Sequence, residues 1–152
     1  MRWITRARPQ TDRIACPWLI RRFIDPAAEI IFVAPVEVLS VAETGGGHSF
    51  DAPGAEFTHV RRDDGVELCT FEVLIDAFAL GHDPALARLA QIVHAADVRG
   101  EEAGNPLAAG LRAIGEGGVL AEGDDERLLE RGVFVYDALY AWCEREVSRV
   151  AH

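Results

Sequence analysis

The run EIIFVA at residues 29–34 constrains this chain most. It is β-branched and uninterrupted, so it reads as a buried strand, and a buried strand needs partners. Residues 2–6, RWITR, supply one, ended by the breaker RPQT. Between the two, Thr11 or Asp12 can cap a helix running to about residue 23, with Pro17 in its first turns and Asp25-Pro26 closing it. Residues 36–44, VEVLSVAET, predict a short helix stopped by Gly45-Gly46-Gly47, and residues 48–52, HSFDA, a third strand. The order βαβαβ predicts a small sheet within the first ~55 residues.

The pattern changes after Pro53. Residues 55–69 read as irregular. Thr70 then caps an apolar helix to Leu80, and Asp83-Pro84 opens another to about Val98. Residues 99–105 read as a loop. A short helix over 107–114 ends at a Gly-rich turn, and a long helix follows from Asp124 to about Val150, with Gly132 as its weak point. There is no repeat and no interdomain linker. The expected fold is α+β in one domain, residues 1–152: a small N-terminal βαβαβ sheet region packed on a mainly helical C-terminal part.

Charge narrows the partners. Net charge is −10, and all 15 bases are arginine. An acidic chain lacks the basic face that nucleic acid requires, and its field suits cations. The first 22 residues, carrying six of the arginines, are locally basic. No apolar run reaches bilayer length, and MRWITRARPQ lacks the apolar stretch of a secretory signal. Three widely spaced cysteines, Cys16, Cys69 and Cys143, fit reduced thiols. The expectation is a cytoplasmic protein whose partner is a metal ion or a small oxyanion, with homo-oligomer formation left open.

Two acid–imidazole pairs stand three residues apart: Glu56 with His59 in irregular chain, and His94 with Asp97 on a helix. Together they offer two nitrogens and two oxygens, a shell for a divalent transition metal such as zinc, iron or manganese. Ala95 and Ala96 leave room beside the helix. The alternative is a local His94–Asp97 salt link, a solvated Glu56 and a His59 packed under a loop. Glu72 is either a further ligand or a partner of its helix dipole. Arg13, close to Cys16 at a helix N-terminus, either activates that thiol, binds an oxyanion, or makes an ion pair beside a core cysteine. Cys143 and the aromatics around it read as core. His48, His82 and His152 read as turn, loop and tail residues. There is no GxGxxG, P-loop, GxSxG or HExxH.

The stretches DRIACPWLIRRFID, FDAPGAEFTH, CTF and LARLAQIVHAAD, with the closing VYDALYAWC, resemble the chromate-resistance family, specifically the C-terminal domain of the regulator ChrB. In the longer relatives this domain follows a DNA-binding region, so the chain reads as a standalone version without that role. Asp12, Arg13, Cys16, Trp18 and Arg21 match the first motif, Glu56 and His59 the second, and His94 and Asp97 the third. The resemblance implies a role in chromate resistance and a shared site built from Glu56, His59, His94 and Asp97. Two readings follow from it. One is a metal-dependent protein, enzyme included, in metal-oxyanion or oxidative stress. The other is a non-catalytic sensor or interaction module, in which a dianion prefers Arg13, Arg21 and a helix N-terminus.

Overall fold

The computed structural model describes residues 1–98 and 100–150. His152, and Arg99 of the expected loop, lie outside these. The architecture is α+β. Strand β1 (Arg2–Arg6) is followed by helix α1 (Thr11–Leu19), which runs on into a π-helical turn, Ile20–Ile24. Strand β2 (Glu29–Val33), helix α2 (Val38–Gly45) and strand β3 (His48–Ser49) complete the βαβαβ unit. The sheet is parallel with order β2-β1-β3. Alternation along β1 serves two layers. Trp3 faces the helical side and belongs to the main core. Ile4 faces a smaller cluster with Val38, Ala52 and Ala55.

A hairpin of β4 (Val60–Arg61) and β5 (Glu67–Leu68) lies outside the first sheet, in the segment expected to be irregular. Gly65 turns it, at a φ of 84° that favours glycine. Helices α3 (Thr70–Ala77), α4 (Pro84–Asp97), α5 (Pro106–Ala121) and α6 (Asp125–Val150) then pack on α1 and on one another. A 3-10 turn, Glu101–Gly104, occupies the expected loop before α5. Cys69, not Thr70, is the N-cap of α3, and forms a capping box with Glu72. Among the described residues no helix is long and apolar enough to cross a membrane.

The Gly-rich segment after Ile114 continues α5 instead of ending it. Its glycines permit close approach: a Cβ on Gly115 would stand 3.0 Å from Thr11 Oγ1. The stop comes at Glu122, where Arg8 crosses over. Its guanidinium donates to the carbonyls of Val119, Glu122 and Gly123 and pairs with Asp125 at 2.8 Å. One cation thus satisfies the free carbonyls that end α5 and the acid that begins α6. Gly132 is a point of close contact of α6 on α1, since a Cβ there would lie 2.7 Å from Ile14 Cγ2. Gly132→Val should lower unfolding free energy by about 1–3 kcal/mol through overpacking. Urea denaturation checks this, and an unchanged midpoint would mean that α6 does not rest on α1 at that position.

Candidate metal and anion site

The sheet order places a crevice between β1 and β3. The chain leaves β1 for β2 on one side and returns as β3 on the other. In open α/β sheets such a point, at the carboxyl ends of the strands, is where ligands bind. Arg6 ends β1, Asp51 follows β3 closely, and Asp12 and Arg13 lie in the first turn of α1. All four line one cavity of about 210 Å³ with Gln10, His59, Asp97 and Arg112.

Local structure explains how each side chain arrives. Asp51 has a φ of 49°, a left-handed conformation that Asp tolerates better than most residues. Its N–H donates to the Phe57 carbonyl, and the Phe57 N–H to the Ser49 carbonyl, so the loop folds back along β3. That return delivers His59 to the crevice. Asp97 is the last residue of α4 and comes in from the opposite wall. Asp12 accepts the Thr70 N–H at 3.1 Å, and Asp51 accepts the Thr70 hydroxyl at 2.7 Å. The N-terminus of α3 therefore faces both carboxylates, a favourable charge–dipole arrangement.

Three carboxylates converge on one nitrogen. His59 Nε2 lies 2.9 Å from Asp97 Oδ2, 3.3 Å from Asp51 Oδ1 and 3.5 Å from Asp12 Oδ2. A single N–H cannot satisfy three acceptors. Moreover, Asp12 Oδ1 is buried and has no hydrogen-bond partner. Burial, reinforced by Asp97 and Asp51, pushes the Asp12 carboxyl up to about 7. Hydrogen bonds to Asp12, Asp51 and Asp97 push His59 up to about 12. Asp51 differs. Burial opposes its charge, but hydrogen bonds from His59 and Thr70 and the nearby Arg6 hold it below the usual carboxylate range. Arg6 lies 3.4 Å and Arg13 3.8 Å from its Oδ2.

The four residues expected to share a metal are divided by the structure. His59 and Asp97 meet. Glu56 lies at a bend in the chain and turns away to pair with His48 Nδ1 at 2.8 Å. His94 also diverges from Asp97. Three residues of α-helix leave about 60° between side chains, and His94 uses that angle to reach Glu72 and Glu101. Of the two arginines expected to hold an oxyanion, Arg13 lines the cavity. Arg21 instead donates to the Ala28 carbonyl at 3.2 Å, closing the turn into β2. Reading the sequence for sites missed Asp12 and Asp51 as site acids and Arg6 and Arg112 as cavity cations. These come from strand ends and a distant helix, and no local spacing joins them. The "TD" that opens α1 and the "FD" after β3 were the available signals, once the sheet order is known.

The comparisons decide the family. The family model described as "ChrB, C-terminal domain" matches residues 3–143. The chain belongs to the ChrB chromate-resistance family. Protein ChrB of Cupriavidus metallidurans (strain CH34) is 38% identical over 138 residues, which cover 91% of this chain and 39% of that relative. The chain thus spans well under half the length of the ChrB protein it matches. No solved structure matches. Within this ChrB domain, Asp12, Arg13 and Cys16 share α1, but only the first two face the cavity. Cys16 is fully buried, and burial followed by the nearby Asp12 pushes its thiol well up. It should resist alkylation at neutral pH in the folded protein and react only after denaturation. Rapid labelling of Cys16 in the native state, located by peptide mass spectrometry, would contradict this placement.

Proposed function

We propose that this domain binds a divalent metal through Asp12, His59 and Asp97, and that the metal and the adjoining arginines together receive a small oxyanion in chromate resistance. The observation that carries this reading is the convergence of three carboxylates on His59 Nε2, with Asp12 Oδ1 left unpartnered in the core. One donor atom each from Asp12, His59 and Asp97 lies within 4.8 Å of the others. One nitrogen with carboxylate oxygens suits manganese, iron or zinc better than soft-ligand metals. His59 is 46% exposed, which gives an ion a way in.

Asp51 plays a different part. Held by Arg6 and Arg13, it links the metal ligands to the cationic side of the cavity. The walls carry three arginines, Arg6, Arg13 and Arg112, against four carboxylates, Asp12, Asp51, Asp97 and Glu116. With a divalent ion bound and His59 neutral, the cavity has one positive charge in excess. That favours an anion where the acids alone would repel it. A bound ion would supply Lewis acidity toward such an oxygen ligand. Arg6 and Arg13 would orient the anion, and His59 would give up its proton on metal binding.

Protein purified without a metal-affinity tag tests this. Wild type should take up one Mn2+ per chain and melt at higher temperature with it, by mass action. His59→Ala and Asp97→Asn should each weaken Mn2+ binding at least tenfold, while Glu56→Gln leaves it unchanged. Binding should strengthen as pH rises through about 7, where Asp12 gives up its proton, and go on strengthening above it, because the metal must also displace the proton of His59. Equal melting shifts in wild type, His59→Ala and Asp97→Asn would refute the site. Sulfate or chromate binding, followed by calorimetry, should require the metal. Equal anion affinity with and without Mn2+ would leave a metal site but remove its anion role.

A further inference from the structure

A second cluster bridges the start of α3 and the end of α4, and it shares no residue with the first. Cys69, Glu72 and His94 each offer a donor atom within 4.8 Å of the others. Cys69 and Glu72 are the N-cap and third residue of α3, and His94 is in the last turn of α4. We propose that Cys69 Sγ, a Glu72 carboxylate oxygen and His94 Nδ1 form a second, softer metal site suited to zinc, with Glu101 orienting the imidazole.

The His94 ring carries the argument. Glu72 Oε1 lies 2.5 Å from Nδ1, and Glu101 Oε2 lies 2.7 Å from Nε2. A neutral imidazole has one N–H, so it satisfies one carboxylate and meets the other lone pair to lone pair. Either the ring is an imidazolium or a cation sits at one nitrogen. The Nδ1 side is the one with further ligands. There Glu72 and the Cys69 sulfur stand together in the capping box. On the Nε2 side Glu101 accepts the remaining N–H, the carboxylate–histidine–metal arrangement that fixes a ligating imidazole.

The donor set separates this site from the first. Asp12, His59 and Asp97 present one nitrogen and otherwise oxygen, whereas a thiolate selects zinc-like ions. Burial pushes the Cys69 thiol far above its usual value, so in the metal-free protein it is a neutral thiol. Coordination removes that proton outright. Glu72, His94 and Glu101 line a broad cleft of about 700 Å³, and Cys69 lies fully buried behind them, so an ion meets Glu72 and His94 first. Three protein donors leave the fourth position of a tetrahedral zinc for water or a further ligand from that cleft.

Co2+ titration of the full chain, with Mn2+ already saturating the first site, tests this. Wild type should develop thiolate-to-cobalt charge-transfer absorption in the near ultraviolet at one further equivalent, bleached by Zn2+. Cys69→Ser should abolish the band while keeping the helix cap, since serine is a favoured N-cap. His94→Gln should weaken Co2+ binding at least tenfold, and Glu101→Gln about 10- to 100-fold. Asp97→Asn should keep the band, which separates this site from the proposed Mn2+ site. Absence of the band in wild type would overturn the proposal and leave His94 as an imidazolium between two glutamates. A band that survives both Cys69→Ser and His94→Gln would overturn it too, by placing the thiolate at Cys16 or Cys143.

Discussion

The buried carboxylate of Asp12 holds the centre of this structure. It is 2% exposed, accepts the first N–H of α3, and belongs to the first turn of α1. It therefore pins two helix N-termini against each other where the sheet opens. A buried carboxylate with an unpartnered oxygen is costly, and a fold keeps one when something compensates. Here the compensation is cationic. His59 and the α3 dipole face it on one side, and Arg13 lies nearby across Asp51. The positions of Asp51, Thr70 and Asp97 all follow from serving the same small volume.

The main core makes that volume rigid. Tyr136 of α6 donates to the Thr11 carbonyl at 3.0 Å, tying the start of α1 to the longest helix. Trp18 donates to Asp137 at 2.8 Å, and Arg8 locks the α5–α6 turn. Donors held this way on helices and strand ends keep their geometry without a ligand, which lowers the entropic cost of binding one.

Much of the fold could be read along the chain because its signals are local. The β-branched run at β2, the breakers after β1 and the three glycines before β3 each act within a few residues. The errors also have local causes. Gly115 and Gly118 look like a helix stop, but tight packing against Thr11 and Leu128 repays their flexibility. The β4–β5 hairpin has only two residues in each strand, too few for periodicity to show. The site was half legible. His59 and Asp97 were found as members of two i,i+3 pairs, yet each pair splits, one at a bend and one at a helix end. Asp12 and Asp51 join the candidate site only through the parallel order β2-β1-β3, which no spacing encodes.

Crystals soaked in Mn2+ and measured at the manganese absorption edge address the proposed metal site most directly. The expected result is one strong anomalous peak bonded to His59 Nε2 and to oxygens of Asp12 and Asp97, with Asp51 alongside. A manganese peak at Glu56 and His48, with none among Asp12, His59 and Asp97, would contradict it and leave the buried aspartates as a purely structural network around an imidazolium.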